Sequence, residues 1–150
     1  MFFDKEVSLF NRNFKDREEV IAELVSRMEE KELVTNEYKQ SVIEREREFP
    51  TGLQTLPFGI AIPHADSENV LQTQIGFASL ENPVEFKAMG SNEPVQVKLI
   101  FLLAIKNPND HLDTLQKLIG IFQSEHLVNS FSACSSQDEL NNVLEAAGLM

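Results

Sequence analysis

VQVKLIFLLAI, residues 95–105, is apolar enough to form the central strand of a β-sheet. Helical patterns lie on both sides of it, because two of them precede the strand signals and three follow this stretch. A run of strands between two groups of helices predicts one sheet sandwiched between helical layers. We therefore expect an α/β protein, in an α+β arrangement, that forms a three-layer α/β/α sandwich with a mixed central sheet.

The other strand signals precede this stretch. Residues 60–62 have the composition of a short buried strand, and QTQIGFASL, residues 72–80, alternates imperfectly between polar and apolar side chains. Residues 84–86 form a third, short run. This run could pair antiparallel with residues 72–80 across the turn 81–83, and we expect the sheet to be mixed for that reason.

Two helices are predicted before the strands. Asp16 can cap the first helix, with Glu19 reaching back, and apolar residues then recur at helical spacing as far as Met28. The second helix begins near residues 35–37. It ends at the stretch 49–52, FPTG, because the residue before a proline avoids helical geometry and glycine favours a turn.

Three further helices are predicted after the central strand. The first opens at Asn109 and has four apolar side chains that are expected to face the core: Leu112, Leu115, Leu118 and Ile119. The second spans residues 125–131. The third spans residues 136–147 and begins with a Ser-Gln-Asp-Glu capping box.

Composition limits the classes of function. The length suits one domain, so residues 1–150 are treated as a single unit. A net charge of −11 argues against binding to nucleic acid and favours a protein partner with a basic face. The first residues have neither a positive flank nor a long apolar run, so we expect no membrane insertion and a cytoplasmic location. The single cysteine, Cys134, cannot form an internal disulfide.

IAIPHA, residues 60–65, places an ionisable ring at the mouth of a buried strand. Pro63 fixes its own backbone angle and lacks an amide donor, so the strand ends there and His64 is presented at the edge of the sheet. Ligands bind at such strand ends when helices cover both faces of an open sheet. On spacing alone, a functional role and a structural role for His64 remain equally open.

The other two histidines lie in the first turns of predicted helices. His111 follows Asn109 and Asp110, where free amides and the helix dipole favour an anion and disfavour a protonated ring. A neutral imidazole there can donate a hydrogen bond to a phosphate oxygen, although a solvated structural histidine would have the same position. His126 has no accompanying motif, so an ordinary surface role is the simpler interpretation.

The sequence contains no G-x-S-x-G elbow, no H-E-x-x-H helix, no phosphate loop and no G-x-G-x-x-G turn. Two histidines and carboxylates such as Asp66 could bind a metal ion, but their separation in the sequence leaves that alternative untested. The chemistry favoured by these residues is a histidine that acts as the nucleophile itself, with no cofactor and no metal.

GIAIPHA at 59–65, together with RE at 45–46 and PTG at 50–52, resembles the type-2 enzyme IIA (EIIA) components of the bacterial sugar phosphotransferase system (PTS), the fructose and mannitol superfamily. The resemblance covers nearly the whole chain, including NDHLDTLQKL at 109–118, where the family has its second histidine. REREFPTG followed by IAIPHA is most similar to the galactitol-specific IIA proteins. One difference is Ala65, because many members have glycine after the histidine.

This resemblance implies a role for each matching residue. It implies that His64 receives a phosphoryl group from phospho-HPr and passes it to a cysteine of the sugar-specific IIB component (EIIB), and through it to the membrane component EIIC. His111 matches the second histidine, which hydrogen-bonds the phosphate, and Arg45 matches the arginine that stabilises its charge. Thr51 and Gly52 lie in the matching phosphate-site turn. The family fold is a three-layer sandwich, in agreement with the predicted order of elements.

Several alternatives remain at this point. Before the family is considered, the carboxylates around Arg45 predict an ordinary exposed ion-pair network. A regulatory module of the nitrogen-type branch, in which phosphorylation of His64 controls a protein partner, would have the same motif. A third possibility is an anion-binding module that is never phosphorylated. The transported sugar is not specified, because IIA proteins do not bind it.

Overall fold

The computed structural model describes residues 2–150, and a five-stranded sheet lies at its centre. The elements in chain order are β1 (Ser8–Arg12), α1 (Arg17–Glu30), α2 (Tyr38–Glu48), β2 (Gly52–Leu53), β3 (Gly59–Ala61), β4 (Gln74–Lys87), β5 (Pro94–Ala104), α3 (Asp110–Ile121), α4 (Glu125–Ser132) and α5 (Gln137–Ala146). A short 3-10 turn, Ser67–Asn69, lies between β3 and β4.

The sheet is mixed, as predicted, and its strand order is β1-β4-β5-β3-β2. β1 pairs parallel with β4, and β3 pairs parallel with β5. β4 and β5 are antiparallel, as are β2 and β3. The predicted central stretch 95–105 thus has β4 on one side and β3 on the other.

The predicted hairpin between residues 72–80 and 84–86 is wrong. Residues 74–80 and 84–86 belong to one long strand, β4, which pairs with β5 from Gln74 opposite Ala104 to Lys87 opposite Pro94. The register shifts between Ser79 and Val84. Pro83 lies in this irregular part, where a residue without an amide donor is tolerated and the strand continues beyond it.

Two helical layers cover the two faces of the sheet, which confirms the three-layer sandwich. Buried residues of α1 and α2 pack with Ile100 and Leu102 of β5 on one face. Buried residues of α3, α4 and α5 pack with Leu99, Phe101 and Leu103 on the other. Because both faces of β5 are covered, its apolar residues run nearly without interruption, as the sequence of a central strand requires.

Two helices, α1 and α5, begin at the predicted caps. The Asp16 side chain accepts a hydrogen bond from the backbone N–H of Glu19, and Ser136 does the same for Glu139. The prediction that Leu112 faces the core is wrong, since its exposed fraction is 63%. Leu112 lies one residue beyond His111 in the first turn of α3, and its exposure places an apolar side chain beside the histidines. Within residues 2–150, none of the helices combines the length and the hydropathy that a bilayer crossing requires.

Candidate functional site

The end of β3 fixes the backbone that carries His64. On one side, the backbone N–H of Ile62 donates to the carbonyl oxygen of Thr51 over 3.3 Å. On the other side, the N–H of Leu103 in β5 donates to the carbonyl oxygen of Pro63 over 3.0 Å. The segment is therefore anchored to both of its neighbours, and His64 follows it at the edge of the central layer.

One hydrogen bond sets the tautomer of the His64 ring. Its Nδ1 lies 2.8 Å from the carbonyl oxygen of Ile62. Since a carbonyl oxygen can only accept, Nδ1 carries the proton and donates it to this bond. In the neutral ring, Nε2 then keeps its lone pair and is available for nucleophilic attack.

The surroundings of His64 also favour the neutral ring. Burial lowers its pKa below the ordinary histidine value, and the positive charge of Arg45 and the neighbouring His111 lower the pKa further. The carbonyl of Ile62 and the carboxylate of Asp66 act in the opposite direction. The net decrease keeps the lone pair on Nε2 free at neutral pH.

His111 lies beside His64 although the two are far apart in the sequence. Their ring centroids are 5.9 Å apart. His111 is the second residue of α3, whose N-terminal amides and dipole favour an anion. The Oγ of Ser67, in the 3-10 turn after β3, lies 3.4 Å from Nε2 of His111. Ser67 was not identified from the sequence.

Arg45 reaches the same site from the last turn of α2. One of its guanidinium nitrogens donates to Oδ1 of Asp66 over 3.2 Å. The guanidinium carbon lies 5.1 Å from the ring centroid of Phe49. Arg45 thus pairs with a carboxylate two residues beyond His64 rather than with the glutamates of its own helix, which places its positive charge at the site.

These side chains line a cleft of about 550 Å³. Its walls are formed by Arg45, His64, Asp66, Ser67, Glu68, Pro108, His111, Leu112 and Leu115. The structure therefore brings together the three residues to which the sequence analysis assigned chemical roles, His64, His111 and Arg45. Asp66 and Glu68 add negative charge to the rim, and the exposed Leu112 adds apolar surface. Such a surface is suited to contact with another protein.

Thr51 and Gly52 lie outside the lining of this cleft. Thr51 is only 2% exposed, and its hydroxyl donates to Glu46 rather than pointing into the cleft. Gly52 begins β2, where a Cβ atom would lie 2.6 Å from the carbonyl oxygen of Lys87, so this close approach requires glycine. Glu46 belongs to the charged run 44–48, and its burial was not identified from the sequence.

The cysteine and the third histidine, Cys134 and His126, lie outside the cleft. Cys134 is buried, and burial raises the pKa of its thiol to about 11, so it stays protonated and unreactive. His126 is exposed in the first turn of α4 and does not line the cleft. In residues 2–150, no group of three or more His, Cys, Asp or Glu side chains has the arrangement that a metal ion requires.

Comparison with known proteins assigns the family. The family described as "Phosphoenolpyruvate-dependent sugar phosphotransferase system, EIIA 2" matches residues 1–147. The PTS system galactitol-specific EIIA component of Escherichia coli (strain K12) is 32% identical over 118 residues, which are 79% of each chain. The fold and these matches define a phosphotransferase component that carries its phosphoryl group on a histidine. The chain belongs to the EIIA type-2 family of the phosphotransferase system.

Solved structures of similar proteins share the fold. The mannitol enzyme IIA of Escherichia coli, solved in complex with phosphorylated enzyme IIB, superposes with a TM-score of 0.78 at 23% identity, over 94% of this chain and 95% of that one. The nitrogen regulatory protein IIA-Ntr of Neisseria meningitidis superposes with a TM-score of 0.74 at 26% identity, over 92% of each chain. The three-layer sandwich is therefore common to sugar-specific and regulatory proteins.

Proposed function

We propose that this protein accepts a phosphoryl group from phospho-HPr on Nε2 of His64 and passes it to a cysteine of a sugar-specific EIIB. EIIB would then serve the membrane component EIIC during uptake of a sugar or sugar alcohol. The observation that carries the proposal is the free Nε2 of a ring with a lowered pKa, in a cleft shared with Arg45 and His111. Residues 1–150 would act as one domain in the cytoplasm, where HPr is expected.

The transfer step follows from this geometry. The lone pair of Nε2 attacks phosphorus, a new P–N bond forms, and the bond from phosphorus to the donor protein breaks. The phosphorylated ring keeps its proton on Nδ1, which still donates a hydrogen bond to the carbonyl of Ile62, and this bond stabilises the positive charge that develops on the ring. Phosphoryl transfer mainly requires positioning and charge stabilisation, which Arg45, His111 and the N-terminus of α3 can supply.

Galactitol is the substrate that we propose for the pathway. The support is the identity of 32% with a galactitol-specific EIIA component over most of both chains. A IIB partner is supported by the mannitol enzyme IIA, because that relative of the same fold was solved with phosphorylated IIB. The net charge of −11 and the carboxylates at the cleft favour partners with basic docking faces.

A phosphorylation assay tests this function. The protein is incubated with enzyme I, HPr and phosphoenolpyruvate, and its intact mass is expected to increase by one phosphoryl group. Galactitol-specific EIIB is then added to one portion and mannitol-specific EIIB to another, and faster loss of the label is expected with the galactitol protein. A sample without enzyme I should stay unlabelled. An unchanged mass in the complete mixture would contradict the carrier function.

Replacing His111 with alanine should slow phosphorylation by about a hundredfold, as removal of a single stabilising donor does in other transfer reactions. His64 would remain in place, so the final extent of labelling should be unchanged. Rapid-quench measurement of the phosphorylation rate checks this expectation, with His126→Ala as the control because His126 lies outside the cleft. Equal rates for the His111 and His126 variants would exclude a role for His111 in the transfer.

A regulatory function is the second candidate. It is favoured by the similarity to IIA-Ntr of Neisseria meningitidis, which shares the fold at a slightly higher identity than the mannitol protein. In that case, the phosphorylation state of His64 would control binding to another protein, and no sugar-specific EIIB would remove the label. The neighbouring reading frames also discriminate, because adjacent IIB and IIC components with a polyol dehydrogenase would favour transport.

A further inference from the structure

Glu46 is a buried carboxylate in the middle of a highly charged run. It is only 4% exposed, although its neighbours in the stretch 44–48 include two other glutamates and two arginines. Its two carboxylate oxygens accept hydrogen bonds from the same residue. The backbone N–H of Thr51 donates over 2.8 Å and the Thr51 hydroxyl over 2.7 Å. Burial of a carboxylate costs free energy unless the group is hydrogen-bonded, and these two bonds offset that cost for Glu46.

Thr51 connects this carboxylate to the nucleophile in two further steps. The carbonyl oxygen of Thr51 accepts from the N–H of Ile62 over 3.3 Å. The carbonyl oxygen of Ile62 in turn accepts from Nδ1 of His64 over 2.8 Å. A continuous series of contacts therefore runs from the last turn of α2, through Thr51 just before β2 and Ile62 just after β3, to the imidazole ring.

We propose that Glu46 and Thr51 are positioning residues for His64: their contact fixes the backbone of Ile62, whose carbonyl selects the Nδ1–H tautomer and leaves Nε2 free. The inference rests on the proposed function of His64 and assigns a specific part in it to a residue pair outside the cleft. It also gives the turn at Thr51 an indirect effect on the site, because the Thr51 side chain faces Glu46 and not the phosphate.

The local structure explains why such an anchor is needed. β2 and β3 pair through only two residue pairs, Gly52 with Ala61 and Leu53 with Ile60. A two-residue edge strand has little intrinsic stability, so its position depends on contacts outside the sheet. The Glu46 carboxylate supplies two hydrogen bonds to Thr51, the residue directly before β2, from α2, the helix that also carries Arg45. One helical turn thereby sets the positions of both the nucleophile and the cation.

The correct tautomer matters because an imidazole protonated at Nε2 has no lone pair there with which to attack phosphorus. If the Ile62 carbonyl moved, the ring would populate both tautomers and rotate more freely. Displacement of a reacting group by about 1 Å can cost up to a hundredfold in rate. We therefore expect loss of the Thr51 hydroxyl to slow phosphoryl acceptance by roughly tenfold.

The test compares Thr51→Val with Thr51→Ser and Thr55→Val. Valine preserves the size of threonine but removes the hydroxyl, whereas serine retains the hydroxyl. Thr55 is a matched control, because it is 8% exposed and its hydroxyl donates to the backbone of Phe58, outside the contacts that lead to His64. Two quantities are measured: the nitrogen chemical shifts of the His64 ring in the unphosphorylated protein, and the rate of phosphorylation by phospho-HPr.

Wild type, Thr51→Ser and Thr55→Val should all show a ring protonated at Nδ1 and similar rates. Thr51→Val should show a mixture of tautomers together with the slower rate. If Thr51→Val shows only the Nδ1–H tautomer and is phosphorylated as fast as Thr55→Val, the proposal is overturned. The NMR comparison uses unphosphorylated protein and does not depend on phosphoryl transfer. If wild type fails to accept phosphate from HPr, the proposed function is contradicted, but the tautomers of the variants can still be compared.

Glu46→Ala provides a second way to break the same contact. It should shift the tautomer in the same direction, and the double variant with Thr51→Val should be no slower than the slower single variant, because both changes remove one interaction. Additive slowing in the double variant would mean that the two residues act separately and would overturn the proposal. Circular dichroism shows whether each variant is folded. If Glu46→Ala is unfolded, the comparison of Thr51→Val with its two controls decides the test alone.

Discussion

Replacement of His64 with alanine is expected to abolish phosphoryl acceptance altogether. The variant loses the free Nε2, and His111, the other histidine of the cleft, makes no hydrogen bond to a backbone carbonyl among the described residues that would hold its proton on Nδ1. Nε2 of His111 lies 3.4 Å from the Ser67 hydroxyl, and the thiol of Cys134 is buried with its pKa raised to about 11. Intact mass after incubation with enzyme I, HPr and phosphoenolpyruvate is the measurement, and the mass should stay that of the unmodified chain.

His126→Ala is the matched control, since it also removes one imidazole but from an exposed position outside the cleft. It should gain one phosphoryl group as wild type does. A gain of one phosphoryl group by His64→Ala would show that another residue is the acceptor, and His111 would be the first to test. Phosphorylation of His64→Ala would therefore contradict the proposed role of His64, whereas the family assignment would be unaffected.

The layers of the fold could be predicted because they depend on long-range patterns in the sequence. Residues 99–105 are buried on both faces, and a strand of this kind has a continuous apolar sequence. β1 and β2 were not predicted, because an edge strand of two to five residues leaves little periodicity to detect. The hairpin at 81–83 was predicted wrongly, since a proline in an irregular part of one long strand resembles a turn.

The chemical residues of the site could be predicted from motifs, but their supporting contacts could not. His64 stands out because a proline ends the strand before it, and His111 because a helix starts beside it. Glu46 stands in a run of alternating charges in which every carboxylate looks exposed. Glu46 lies four residues after Val42 and eight after Tyr38, so it is on the same inward face of α2 as these two buried side chains. This spacing predicts burial, but a charged side chain is ordinarily expected to be exposed.

The role of Asp66 shows a second limit of sequence-based prediction. Arg45 is surrounded by glutamates in the sequence, and this pattern predicts ion pairs within the helix. In the structure, Arg45 pairs instead with Asp66, which is 21 residues away. The pairing depends on how α2 packs beside the end of β3, and no local pattern contains that information. The same packing brings the guanidinium to the nucleophile.

Glu46 also makes the stability of the protein depend on pH. Burial raises the pKa of Glu46 from 4.5 to about 7, although the Thr51 backbone and side chain and the charge of Arg17 in α1 oppose the increase. A carboxyl group whose pKa is higher in the folded state binds more protons there than in the unfolded chain. Between the two pKa values, the free energy of unfolding therefore falls as pH rises.

We expect this contribution to be fully present below pH 4.5 and to be lost as pH rises through about 7, for a total of about 3 kcal/mol. Glu46→Gln should lack this decrease, because an amide does not ionise but can still accept from the Thr51 N–H and donate to its hydroxyl oxygen.

The measurement is urea unfolding of both proteins from pH 4 to 8. His64 has a lowered pKa and acts in the opposite direction below its ordinary value, but it is present in both proteins and cancels in the difference. A difference between wild type and Glu46→Gln that stays constant over this range would mean that the pKa of Glu46 is the same in the folded and unfolded states, and would contradict this prediction.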